Sequence, residues 1–339
     1  MSNNLLVVIN NDKVFEESNE FSSSNYNLKI IPEGLNNFHK VKYIGRKSKK
    51  KGSHKINLEK IDIASNIIQF IYFIFLTFKS KNSKYLIVSI NPYTFISFLF
   101  LLLFRKKVFL YLISSGHEEW KFILGSWSIW IYHFMYSIMT SNSTVLTLHE
   151  KLYQGKNCHL ITSSTLDEDW FKDYKDAKLN KIKFLYVGRA NPEKGIYQFL
   201  EMFEKININA ELSIVGNLKN IQVSKNKNVK LVGYISDKQS LIDIYDEHNI
   251  LILPSFTEGQ PHVVDESLAR RRPVIIFEEI SHIIKDRKGV FISKRTVDSL
   301  SQTAKYVIEN YNKIQNSLKQ NKFSLRKDML KQIFSIIFD

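Results

Sequence analysis

LILPSFTEGQPHVVDESLARRRPVII, residues 251–276, is the stretch from which the rest of this chain can be read. Leu251, Ile252 and Leu253 form a short apolar strand that Pro254 ends, and Pro261 opens a helix, where its missing N–H costs nothing. Glu258 therefore falls on the loop before the helix, and Glu266 about a turn and a half inside it. The amides of Gly259, Gln260 and His262 point out of the helix start, where an anionic group is favoured. Gly259, lacking a Cβ, lets a ligand come close to the backbone. By spacing alone, the two glutamates suit a solvated helix face as well as they suit a binding site.

Outward from this stretch, apolar runs alternate with helical patterns along the whole chain. In the first half, strands are expected at 5–9, 27–31, 85–90, 107–113, 144–148 and 159–162, with an apolar helix after Asp62, another from Phe95, and an aromatic one over 125–139. Composition turns polar at 167–183, the candidate linker. A second series follows, with strands at 184–187, 211–215, 230–232, 250–253, 273–277 and 290–292 and helices at 196–205, 238–247 and 297–317. The tail 323–338 is again helical and apolar on one face. This alternation predicts an α/β protein of two Rossmann-like, doubly wound domains facing across a cleft. The domains are expected at 1–168 and 169–322, with 323–339 packing back toward the first.

The second domain opens with a strand and then GRANPEKG, residues 188–195. A strand-to-helix turn of this kind lies at the carboxyl edge of a parallel sheet, where ligands bind. Arg189 offers a planar fork and Lys194 a point charge, a pair suited to a diphosphate, although a solvated basic turn looks the same. Glu258 and Glu266 fall on the same edge. Two cations and two carboxylates converging there favour a site over a surface.

The order GRxxxxKG, then Gly233-Tyr234-Ile235, then LPSxxEG with E-x7-E and a closing RPVI resembles the retaining GT-B glycosyltransferases of family 4, specifically over 184–276. The resemblance implies a nucleotide-diphosphate sugar as co-substrate, with no metal or other cofactor. It implies that Gly188, Arg189 and Lys194 hold the donor diphosphate, the two cations stabilising the leaving group. Glu258, with Gly259 and Gln260, would contact the donor sugar, Glu266 the ribose hydroxyls, and Tyr234 and Ile235 the base. It also points to a first-domain histidine, here His117 in a loop past the strand 107–113, as a catalytic residue facing the sugar. That histidine reads equally as a surface residue packed on Trp120. The pattern departs from the family in two places. The turn Asn10-Asn11-Asp12-Lys13 has no glycine, and Gln260-Pro261 stands where Phe-Gly is frequent.

Composition bounds the remaining choices. The 339 residues are 44% hydrophobic and 24% charged, enough for two real cores, and Cys158 as the lone cysteine excludes a disulfide framework and a cysteine zinc site. The nine histidines show no metal spacing, and Asp167-Glu168-Asp169 reads as an acidic turn before it reads as a metal motif. No dinucleotide or P-loop fingerprint occurs. A net charge of +15 predicts anionic partners, although lysine-rich drift explains part of it. Arg270-Arg271-Arg272 reads only as added charge near the sheet edge.

The apolar segments 67–78 and 95–104 fall short of the roughly 20 residues of a spanning helix. They suit burial, or shallow insertion beside the basic cluster 46–55. The expectation is a hexosyl- or related glycosyltransferase acting on a saccharide or lipid-linked acceptor in surface polysaccharide, lipopolysaccharide or glycolipid synthesis. It would be cytoplasmic and peripheral at an anionic membrane surface, with no nucleic acid partner. The alternatives are an epimerase or phosphorylase on the same fold, and a non-catalytic basic membrane-binding protein.

Overall fold

Two parallel sheets organise the chain, each in its own unit: Met1–Ser163 with Arg326–Asp339, and Ser164–Leu325. The computed structural model describes residues 5–80, 82–113, 116–148, 152–153, 155–177, 179–216 and 227–339.

In the first unit β1 (Leu6–Glu17), β2 (Glu20–Ser23), α1 (Tyr26–Asn36), β3 (Val41–Lys47), β4 (His54–Ile56) and β5 (Ile61–Ala64) come first. Next are α2 (Ile67–Leu76), β6 (Lys84–Val88), α3 (Pro92–Leu103), β7 (Val108–Leu112), α4 (Gly116–Leu124), α5 (Ser128–Ser141), β8 (Thr144–Thr147) and β9 (Cys158–Leu160). The parallel strands run β5-β3-β1-β6-β7-β8-β9. The distal part of β1 carries an antiparallel extension through β2 to β4.

Alternation along the strands sorts the core into two layers. Val7, Ile9, Tyr85, Ile87 and Leu110 pack under α2, α3 and α5, while Leu6, Val8, Leu86, Val88 and Tyr111 pack against α1 and the C-terminal helix.

The second unit holds β10 (Ile182–Val187), α6 (Ile196–Phe203), β11 (Ala210–Val215), β12 (Val229–Gly233), α7 (Lys238–Asp246), β13 (Ile250–Leu253) and α8 (His262–Ala269). Then come β14 (Val274–Phe277), β15 (Val290–Ser293), α9 (Val297–Glu309) and α10 (Tyr311–Leu318). Its strand order, β12-β11-β10-β13-β14-β15, is all parallel and reverses direction beside β10, the Rossmann-like arrangement. The last helix, α11 (Arg326–Phe338), joins the first unit: a Cβ on Gly34 of α1 would lie 2.3 Å from Leu330.

Several local expectations are corrected. Residues 27–31 are helical, inside α1, because Ile30, Ile31 and Leu35 are buried together with Leu330 and Ile333 of α11. A short apolar run does not distinguish a strand from a buried helical segment. The chain does not turn at Asn10–Lys13. It continues as β1 across a register shift between Ile9 and Lys13. The aromatic helix starts at Ser128, after Gly125 (φ 90) ends α4, and the stretch 297–317 breaks into α9 and α10 at Asn310.

Candidate functional site

The strand reversal in the second unit leaves the loops after β10 and β13 side by side, and both carry the singled-out residues. Their backbones touch: the amide of Phe256 donates to the carbonyl of Glu193 at 3.0 Å. Gly195, at φ 63, sits so close that a Cβ there would lie 2.0 Å from the carbonyl oxygen of Pro254. A side chain cannot enter without moving one loop off the other.

This contact brings together two of the predicted residues. Lys194 Nζ donates to Glu258 Oε1 at 2.8 Å, and Ser255 Oγ donates to the same oxygen at 2.7 Å. The lysine side chain is 20% exposed and the glutamate 11%, so the pair is sheltered but reachable. His282 Nε2 lies 2.9 Å from the Glu258 carbonyl, which holds the loop from the other side. Arg295 bonds Glu279 at 2.7 Å, stacks on Phe256 at 4.0 Å, and reaches the Ser255 carbonyl.

Gly188 and Arg189 begin the first loop. The Gly188 amide is tied to Val215 at 2.9 Å, and Tyr186 Oη donates to the Arg189 carbonyl at 2.7 Å. The Arg189 side chain is exposed, and among the described residues its guanidinium has no hydrogen-bond or ion-pair partner. Gly259 is exposed, and a Cβ there would meet no atom within 4 Å. Gln260 is half-buried. Tyr234 is exposed after β12, and Ile235 packs on the edge of the core.

Glu266 lies apart from the Lys194–Glu258 pair in its bonding. It is 8% exposed within α8, with Tyr245 Oη donating to Oε2 at 2.8 Å and Thr165 Oγ1 to Oε1 at 3.2 Å. Burial pushes its carboxyl up to about 6, a rise that the two hydroxyl donors oppose and Asp265 adds to. Asp265 itself is clamped by Arg287 at 2.6 and 2.9 Å.

His117 belongs to the first unit and is the second residue of α4, not a loop residue. Its Nε2 lies 3.2 Å from His133 Nδ1, and its ring sits edge-on to Tyr132 and Tyr136. Burial, then the neighbouring His133, holds its pKa below the ordinary value. Trp120 packs on Tyr132 and, with Glu119, lines a small cavity at the carboxyl ends of β6 and β7.

The arginine run is corrected outright. Arg270 and Arg272 are 1% and 2% exposed, so they add no charge to the edge. Arg270 grips Asp246 through two bonds of 2.9 and 2.7 Å and also donates to the carbonyls of Trp170, Lys172 and Asp173. Arg272 donates to the carbonyls of Lys175, Asp246 and His248. The polar stretch after Asp167 is therefore strapped to the second unit by buried guanidinium groups.

Among the residues not singled out from sequence, Ser255 had a visible signal, since it precedes Glu258 in the same motif. Tyr245, Thr165 and Arg295 had none, because only folding brings them near. No group of three or more His, Cys, Asp or Glu side chains that could hold a metal ion occurs among the described residues.

The capsular polysaccharide biosynthesis glycosyltransferase CapM of Staphylococcus aureus is 25% identical over 140 residues, covering 37% of this chain and 36% of CapM. The chain spans 36% and 31% of the length of the curated relatives it matches. HepE of Anabaena, solved with UDP-glucose, shares the fold with a TM-score of 0.69 at 12% identity, over 97% of this chain and 98% of HepE. Sucrose-phosphate synthase from Thermosynechococcus elongatus does so at 0.68 and 15%, over 98% and 96%. The fold is thus the two-domain GT-B fold. Residues 168–324, nearly all of the second unit, match the glycosyl transferases group 1 family.

Proposed function

We propose that the chain is a glycosyltransferase that moves a sugar from a nucleotide-diphosphate sugar to an acceptor hydroxyl, with retention of configuration. The observation that carries this reading is the exposed Arg189 guanidinium, without a hydrogen-bond or ion-pair partner among the described residues, on the same loop as the Lys194 of the sheltered Lys194–Glu258 pair, at the strand reversal of a group 1 domain. A fixed cation and a second, exposed one on the same loop suit a diphosphate whose charge grows as the glycosidic bond breaks. The leaving phosphate then takes the acceptor proton, so no protein base is required on that face. Glu258 would hold a donor-sugar hydroxyl through its second oxygen, Glu266 the ribose, Tyr234 and Ile235 the base, and the amides of Gly259 and Gln260 the sugar.

CapM acts in capsular polysaccharide biosynthesis and HepE was solved with UDP-glucose. We infer from these names a uridine-nucleotide donor and an acceptor on a growing surface polysaccharide or its lipid carrier, met at the inner face of the cell membrane. Titration calorimetry of UDP into the protein and into the Arg189→Ala/Lys194→Ala variant tests the core of the reading. At least a tenfold loss of affinity is expected. Equal binding by both proteins sinks the site assignment.

A further inference from the structure

No helix among the described residues is long and apolar enough to cross a membrane, yet the outer layer of the first unit is apolar on faces that meet no sheet. A helix that covers one side of a sheet ordinarily shows a polar opposite face. Here α2 buries Phe70 and Ile74 but also exposes Ile68, Tyr72 and Phe75. In α3, Phe98 and Leu101 are buried while Ile96, Leu99 and Leu103 look outward. In α5, Tyr132, Met135 and Met139 are buried while Trp130, Ile131 and Phe134 are exposed. The exposure is not marginal: 79% for Ile68, 76% for Leu103 and 79% for Trp130.

These side chains form one surface. The three helices cover the same side of the sheet, α2 packs on α3, and α3 packs on α5. Phe95 of α3 meets Phe134 of α5 with ring centroids 5.9 Å apart. An apolar, aromatic patch of this breadth marks an interaction site.

Charge identifies the occupant. Residues 63–149 contain seven cationic side chains against two acids, Glu118 and Glu119. Lys84 and Lys107 pack toward the opposite side of the sheet, on Phe338 and Phe109, which leaves Lys79, Lys81, Arg105, Lys106 and Lys121. Arg105 and Lys106 follow α3 after Phe104, with Lys106 Nζ 4.5 Å over the Phe78 ring, and Lys79 follows α2 by three residues. A second copy of the chain docking on this face would set one cationic rim against another. An anionic bilayer instead accepts the aromatic and aliphatic side chains at the level of its head groups and attracts the rim. We propose that the outward face of α2, α3 and α5 is the surface by which this protein docks, without spanning, on an anionic membrane leaflet. The proposal specifies the membrane part of the function above and rests on none of its sugar chemistry.

Sedimentation with sucrose-loaded phosphatidylcholine vesicles, with and without phosphatidylglycerol, tests it in the absence of any nucleotide. The protein is expected to pellet at least tenfold more strongly with the anionic vesicles, and less as salt rises. The Ile68→Ser/Leu103→Ser/Trp130→Ser/Phe134→Ser variant, changed only at exposed positions, should lose at least tenfold in partitioning while still binding UDP. Wild-type tryptophan emission should be quenched by brominated anionic lipid, a readout that needs no variant to fold. Wild-type protein that stays in the supernatant at low salt overturns the proposal, as does unchanged pelleting of the variant. So does a dimer seen by light scattering that the variant abolishes while vesicles bind neither protein. Failure of UDP binding with vesicle binding intact would instead count against the donor site alone.

Discussion

Lys194 and Glu258, 64 residues apart in the chain, meet at 2.8 Å across the two loops that flank the strand reversal of the second unit. The ion pair is sheltered enough to have a defined geometry, and each partner keeps an edge toward solvent. A lysine held in this way is a positioned charge, which matters more to a developing anion than a mobile one.

Removing either partner should therefore damage catalysis beyond simple loss of binding. Lys194→Ala is expected to lower kcat by about 10²-fold or more, the range for deleting one preorganised donor. Glu258→Ala frees the lysine and should cost a comparable factor. The double variant should be less impaired than the product of the two, because both singles break one unit. Steady-state kinetics with a nucleotide-sugar donor decide this, and small multiplicative effects would show that the pair is only a surface bridge.

Two glycines on the same loops should behave oppositely. Gly195→Ala forces a Cβ to within 2.0 Å of Pro254 O at a left-handed φ of 63, so a loss of about 1–3 kcal/mol in stability and a displaced Lys194 are expected. Gly259→Ala places its Cβ within 4 Å of no atom of the described residues, and its melting temperature should stay near that of the wild type. If a donor lies against Gly259, its affinity falls even so. Thermal unfolding with and without UDP separates the two effects, and an unaltered affinity in Gly259→Ala removes that residue from the site.

Glu266 predicts a pH dependence of stability. Its folded-state pKa of about 6 lies above the ordinary 4.5, so the folded chain holds this proton more tightly than the unfolded chain. The contribution favours folding at acid pH, fades as pH rises from about 4.5 to 6, and is flat above that. The amount is about 2 kcal/mol. Glu266→Gln should match the wild type near pH 4 and exceed it by about that much above pH 7. Unfolding curves at both pH values check the sign, and a difference independent of pH would mean the carboxyl titrates normally.

The Arg270–Asp246 pair is 1% exposed on both sides, and the arginine also bonds three carbonyls of the segment after Asp167. Asp246→Asn leaves a buried guanidinium without its counter-ion and is expected to cost about 3–5 kcal/mol. Arg271→Gln, at the neighbouring half-buried position stacked on Tyr174, should cost far less. Calorimetric unfolding compares them directly, and equal losses would contradict the burial argument.

Much of the architecture is legible in the amino-acid order. Apolar runs of four to six residues, punctuated by Gly188, Pro254 and Pro273, mark β10, β13 and β14, because a parallel strand buried on both faces has no polar phase to confuse, and Pro261 marks the start of α8. The short strands β2 and β4 left no such signature, since their pairing is antiparallel and partly exposed. The residue types at the candidate site were legible too, since cations and carboxylates recur at the ends of strands.

Only the tertiary structure decided how those residues are used. The sequence alone treated Lys194 and Glu258 as two halves of a site, and the fold makes them one pair. It gave Glu266 only a place on the sheet edge and a ribose role by resemblance, and the fold buries its carboxyl against Tyr245 and Thr165. It counted Arg270 and Arg272 as surface charge, and the fold buries them around Asp246. The physical reason is common to all three. A local pattern sets which way a backbone runs, but the cost of an ionised side chain depends on the partners that distant segments bring to it.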